Sequence, residues 1–267
     1  MRVLRKCRRI ACLIFWTLFS ALRALPSILK REKWSAVSSM TGEVGSWCRG
    51  ILSLCNIRLV VHGDAAQGEG TLIVSNHTGY VDIPVHAAVF PIRFAPKAEL
   101  KNTPVFGWLA RLSRPVWVDR KSRMDSGKCA AEFAATLEHR ISLLVYPEGT
   151  TSDGTKLLPF KTGPFEPAVK ENRSVLPVLT FYSVPEGEEH PGWFDDSEMT
   201  AHIWRFLGIR EIRADLYILP PVSPGGMDRK TFSLHVRSLM EEARERIMEE
   251  RKQETFFNKE KKGSPNE

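Results

Sequence analysis

The chain has no Gly-x-Ser-x-Gly nucleophile elbow, no internal repeat and no cysteine pattern. Without the elbow, a route through an acylated serine is disfavoured. The five cysteines, Cys7, Cys12, Cys48, Cys55 and Cys129, show neither the pairing of a disulfide framework nor metal-ligand spacing. This fits a reducing compartment in which thiols act as small apolar side chains, and no metal site is expected. Basic residues in excess are also missing from most of the chain. The net charge is +7, yet the first 33 residues hold nine basic positions against Glu32 alone, so the remainder is close to neutral. A basic groove for nucleic acid is therefore not expected.

That basic start flanks the apolar, aromatic-rich stretch from Ile10 to Leu22, which Arg23 interrupts. A spanning helix needs about 20 apolar residues, and the run falls short unless it continues past Arg23. No small-x-small cleavage site follows, which argues against a secretory signal. The pattern predicts a helix lying in a membrane interface, with Phe15 and Trp16 as anchors and Arg and Lys on lipid phosphates. Trp34, Val37, Met40, Val44, Trp47, Ile51 and Leu54 then recur at three- and four-residue steps, an amphipathic helix weakened by Gly42, Gly45 and Gly50. Two such helices would form a hairpin that returns the chain to its starting side, leaving the following domain on the cytoplasmic face of the cell membrane. Residues 1–56 are accordingly expected to bind membrane, 57–252 to form one domain, and 253–267 to be a frayed polar tail.

From residue 57, short apolar runs alternate with helical periodicity. Strands are expected over 57–61, 71–75, 92–95, 115–118, 141–145, 175–182 and 212–219, and a helix over 122–140. A long charged helix should cover 228–251. With 43% hydrophobic residues the core is ample. The alternation predicts an α/β fold, a mostly parallel or mixed sheet flanked by helices. Nothing in the sequence gives an oligomeric state.

Two polar motifs end apolar strands. The first is Asn76-His77-Thr78-Gly79-Tyr80-Val81-Asp82, after Thr71–Val74. If His77 leaves the strand and Asp82 returns from the next helix, the carboxylate can hold one imidazole nitrogen and leave the other as a general base. The second is Tyr146-Pro147-Glu148-Gly149-Thr150-Thr151-Ser152, after Ile141–Val145. Two such motifs place a site along one edge of the sheet. His62, His86, His139, His190, His202 and His235 lie in no such motif and are expected to be packing or surface residues.

The first motif resembles the H-x-x-x-x-D signature of the glycerolipid acyltransferases of the lysophosphatidic acid acyltransferase type. Further blocks follow in order: Lys97-Ala98-Glu99-Leu100, Val116-Trp117-Val118-Asp119-Arg120, Pro147-Glu148-Gly149-Thr150, Phe160-Lys161-Thr162-Gly163 and Val175-Leu176-Pro177-Val178. The resemblance spans roughly residues 57–225. It implies that His77 is the base and Asp82 its orienter, with transfer of a fatty acyl group from acyl-CoA or acyl carrier protein to lysophosphatidic acid. No cofactor is implied beyond that co-substrate. Arg120 and Lys97 would hold the acceptor phosphate, Gly149 and Thr150 amides would close an anion nest, and Glu148 would orient the cations. Thr151 stands where the family often has Arg, which keeps another acceptor, such as a lyso-ornithine lipid, in play. A non-catalytic membrane-binding module and a soluble esterase are the alternatives from other classes.

Overall fold

Unbroken apolar runs such as Leu72-Ile73-Val74 and Leu143-Leu144-Val145 need cover on both faces, the environment of an interior strand in a parallel sheet. The computed structural model, which describes residues 2–103, 106–119 and 123–263, gives them that place. The strands are β1 (Ile57–His62), β2 (Leu72–Ser75), β3 (Ile92–Phe94), β4 (Ser142–Val145), β5 (Val175–Ser183) and β6 (Ile212–Ile218). They form one sheet in the order β1-β6-β5-β2-β4-β3. β5, β2, β4 and β3 run parallel, β1 and β6 run parallel to each other, and β6 meets β5 antiparallel. The sheet is therefore mixed.

The helices are α1 (Arg2–Arg23), α2 (Leu25–Ile28), α3 (Lys33–Cys55), α4 (Asp82–Val89), α5 (Phe106–Leu112), α6 (Arg123–Glu138), α7 (Glu166–Lys170), α8 (Met199–Phe206) and α9 (Arg229–Gly263). Successive strand residues face opposite sides. Ile73 of β2 joins a core with Cys48 and Leu52 of α3 and Val85 of α4. Leu72 and Val74 join the other, with Phe133 of α6, Ala168 of α7, and Phe232 and Met240 of α9. Three layers result, and the carboxyl ends of β2, β4 and β5 lie side by side.

The expected helical hairpin is present. Trp16 Nε1 donates to the Trp47 carbonyl at 2.9 Å, Trp47 Nε1 to Thr17 Oγ1 at 3.1 Å, and Arg23 pairs with Glu43 at 2.8 Å. Gly50, expected to weaken α3, is a slot instead: a Cβ there would stand 2.1 Å from Trp16 Nε1. Leu4, Phe15, Leu18 and Leu22 lie exposed along α1. The basic residues at its start are mostly engaged within the protein. Arg5 donates to the Gly208 carbonyl, and buried Arg9 to the carbonyls of Leu207 and Ile209. These carbonyls lie in the turn that follows α8, where the guanidinium groups satisfy them. Arg2 pairs with Glu188. This corrects the expectation that these cations all face lipid. Among the described residues no helix is long and apolar enough to cross a membrane.

Two further expectations differ from the structure. The stretch 115–118 forms one isolated bridge, Val118 with Lys97, rather than a strand of the sheet, although Val116 N donates to the Phe94 carbonyl and Val118 N to the Pro96 carbonyl, both at 2.9 Å. The final helix continues to Gly263, twelve residues past the expected end at Arg251, because nothing polar in 252–263 breaks a helix until Gly263.

Candidate active site

Asn76 and His77 follow β2 directly, and Tyr146 to Gly149 follow the neighbouring β4. Adjacent parallel strands therefore bring the two motifs together. Ser152 N donates to the His77 carbonyl at 2.9 Å, and His77 N donates to Glu148 Oε1 at 3.0 Å. The Tyr146 ring stacks on the His77 imidazole, with centroids 4.0 Å apart and planes 9° apart. From the other neighbour, β5, Thr180 exchanges a pair of hydrogen bonds with the Asn76 amide, at 2.8 and 3.0 Å. His77 is thus clamped from both sides.

Asp82 opens α4 and turns its carboxylate back. Its Oδ2 accepts from His77 Nδ1 at 2.7 Å, Thr78 N at 2.7 Å and Gly79 N at 3.1 Å. Its Oδ1 accepts from Thr78 Oγ1 at 3.0 Å and Tyr182 Oη at 2.7 Å. Burial pushes this carboxyl up, but the His77 hydrogen bond, the charges of His77 and His86, and the Tyr182 hydroxyl outweigh it, leaving the group below the usual aspartate range. An ionised Asp82 only accepts, so Nδ1 carries the imidazole proton and Nε2 presents a lone pair. Nε2 has no partner among the described residues, and a fifth of the side chain remains exposed.

Glycine at position 79 has a packing reason: a Cβ there would stand 2.6 Å from Trp193 N. The loop after β5 lies against the motif, and Trp193 N donates to the Thr78 carbonyl at 2.8 Å. His202 holds that loop, since its Nε2 donates to the Gly192 carbonyl at 2.8 Å and its Nδ1 accepts from Tyr80 Oη at 2.8 Å.

The remaining expected residues divide. Glu148 is buried, and its second oxygen accepts from Leu158 N at 2.9 Å. Burial pushes its carboxyl above the usual glutamate value, against the pull of the two amides. Each oxygen accepts from a backbone donor, so Glu148 braces the motif. The Gly149 N–H donates to the Tyr146 carbonyl at 3.1 Å and closes the turn, which removes one donor from the expected anion nest. Thr150 is exposed, and its N–H has no partner among the described residues. Lys97 is exposed at the start of a short 3-10 turn, and no hydrogen bond or ion pair among the described residues joins it to His77. Arg120 lies outside the described residues.

Several supporting residues carried no sequence signal. Tyr182 and Thr180 lie about a hundred positions from the motif they hold. Buried His86 was expected to be a packing residue and is one with fixed polar partners. Its Nδ1 donates to the Asp82 carbonyl at 2.7 Å, and its Nε2 faces Ser75 Oγ at 3.0 Å and Thr180 Oγ1 at 3.2 Å. Burial holds this imidazole below the usual histidine range. His62 is drawn into a charged cluster, with Nε2 3.0 Å from Asp215 Oδ1. The thiols behave as small apolar groups: burial pushes Cys48 up to about 12 and Cys55 up to about 11.

Comparison with known proteins gives the same grouping. The profile of the Acyltransferase family matches residues 58–180. A lyso-ornithine lipid O-acyltransferase from Brucella abortus is 32% identical over 212 residues, covering 72% of this chain and 79% of that protein. A 1-acyl-sn-glycerol-3-phosphate acyltransferase from Neisseria meningitidis is 31% identical over 167 residues, covering 61% and 65%. The chain also spans 65% of the length of a lyso-ornithine lipid O-acyltransferase from Rhodobacter capsulatus, to which it is 33% identical over 186 residues. In fold, the chain is similar to the crystal structure of the 1-acyl-sn-glycerophosphate acyltransferase from Thermotoga maritima, with a TM-score of 0.67, 23% identity, and coverage of 93% and 98%.

Proposed function

The chain belongs to the acyltransferase family, and from that premise we propose that it moves a fatty acyl group from a thioester to the free hydroxyl of a lyso-lipid. The observation that carries the reading is the His77 Nδ1 to Asp82 Oδ2 contact at 2.7 Å, with Nε2 unpartnered among the described residues. The acceptor hydroxyl attacks the thioester carbonyl carbon as its proton passes to Nε2. The carbon–oxygen bond forms, the tetrahedral adduct collapses, the carbon–sulfur bond breaks, and the thiolate takes the proton back from the imidazolium. No acyl-enzyme is needed, because the thioester is already activated. Asp82 holds the tautomer and offsets the positive charge that develops on His77.

The donor is a CoA or acyl carrier protein thioester, and the acceptor is lysophosphatidic acid, giving phosphatidic acid. Arg120, Lys97 and the Thr150 amide supply the phosphate's donors in this reading. Thr151, in place of the family's frequent Arg, keeps a second acceptor, a lyso-ornithine lipid, in play, and relatives named for each acceptor match this chain. The protein works at a membrane surface, on the cytoplasmic side, with Leu4, Phe15, Leu18 and Leu22 of α1 in the lipid interface. An acceptor screen with purified protein, both donors and a lipid-product readout tests this. Acylation of lysophosphatidate supports the first acceptor. Acylation of the amino-acid lipid alone replaces it, and fatty acid release without acceptor overturns transfer altogether.

A further inference from the structure

The two oxygens of Asp82 are held differently. Oδ2 takes the imidazole and two backbone amides, which any residue of the motif would supply. Oδ1 takes only hydroxyls, Thr78 Oγ1 from within the motif and Tyr182 Oη from β5. Tyr182 is buried, and burial, the Asp82 charge and its own hydrogen bond to Asp82 keep the phenol well above its usual range, so it remains a donor. A phenol donating at 2.7 Å draws negative charge off a buried carboxylate, where the low local dielectric makes the effect larger than in water. Less charge on Asp82 means a weaker hold on a protonated His77.

We propose that Tyr182 is a positioning residue that sets the basicity of His77 through Asp82. It fixes the carboxylate's rotation and tempers its charge, so that the imidazole takes a proton from the acceptor and still returns it to the leaving thiolate. The other groups facing the pair are fixed: His86 on the Asp82 carbonyl, Tyr146 stacked on His77, Glu148 on the His77 amide, and His190 edge-on to the Tyr182 ring at 6.1 Å. None of them touches Oδ1. The Tyr182 hydroxyl is therefore the group that can be altered without rebuilding the motif.

The kinetic readout rests on the acyl-transfer reading above, whereas the spectroscopic one does not. In Tyr182→Phe the ring stays and the donor goes. The acid limb of the kcat–pH profile is expected to move up by about half a pH unit, with kcat at neutral pH reduced roughly threefold to tenfold and acceptor KM nearly unchanged. NMR titration of the His77 imidazole, assigned through His77→Gln, should move in the same direction. Replacing Tyr182 by 3-fluorotyrosine, a stronger donor of nearly equal size, should move both down. A purely structural role would leave the two titrations where they are in the unsubstituted protein, and that result overturns the inference. If Tyr182→Phe fails to fold, the fluorinated variant decides alone. If the unsubstituted chain transfers no acyl group, the functional reading fails, and the His77 titration still decides this one.

Discussion

Glu148 Oε1 accepts the His77 backbone N–H at 3.0 Å, although the two residues stand 71 positions apart and the carboxylate never touches the imidazole. The contact ties the end of β4 to the end of β2. A carboxylate there can only accept, while an amide in its place turns an N–H toward an N–H. Glu148→Gln is therefore expected to cost about 1–3 kcal/mol of stability and to lower kcat roughly tenfold, with acceptor KM within about twofold. Thermal unfolding and initial-rate kinetics check this. A raised KM with unchanged kcat would make Glu148 a substrate contact instead.

The exposed stripe on α1 gives a sharper membrane test than deletion, since removing α1 also strips Arg5 and Arg9 from the carbonyls of Leu207, Gly208 and Ile209. Phe15→Asp combined with Leu18→Asp changes only exposed side chains. Vesicle co-sedimentation should fall at least about tenfold, while the melting temperature stays within a few degrees. Unchanged sedimentation of the double variant on vesicles containing anionic lipid would remove α1 as the anchor.

Asp215 offers a prediction about acid stability. Burial pushes this carboxyl up, but hydrogen bonds from Arg213, His62 and Arg251 outweigh it and bring it down to about 2. Arg251 reaches it at 2.7 Å from α9, and Arg213 at 2.9 Å. A depressed carboxyl contributes stability above its ordinary value, near 3.8, that is lost as pH falls toward 2. The contribution is about 2 kcal/mol. Asp215→Asn should lose roughly 3 kcal/mol at neutral pH, and its denaturation curves should change less between pH 4 and pH 2. Parallel pH curves for the two proteins would contradict the assignment.

What the sequence made legible follows physical locality. β2 and β4 were readable because each is a short run that the parallel sheet buries on both faces, and the pairing of His77 with Asp82 was readable because a turn of five residues contains it. Tyr182, Thr180 and Glu148 act on that motif across strand pairings, and no spacing rule links positions 71 to 104 residues apart. The antiparallel entry of β6 beside β5 was likewise invisible, since its apolar residues read the same in either direction. Arg5 and Arg9 bind protein where lipid is expected, because a sequence shows their charge but not the carbonyls of Leu207, Gly208 and Ile209 that the turn after α8 brings to them. Val116 and Val118 read as a strand, and their N–H groups do bond the carbonyls of Phe94 and Pro96, but the pairing stops at a single bridge with Lys97 instead of extending as a ladder.

In the proposed reaction His77 Nε2 accepts the proton of the acceptor hydroxyl. The most direct test of that step is the rate of acyl transfer from a thioester to lyso-lipid by His77→Ala, measured beside the unsubstituted protein with matched folding and vesicle binding. General-base catalysis predicts a loss of roughly a thousandfold. A variant that retains transfer within about threefold would contradict it.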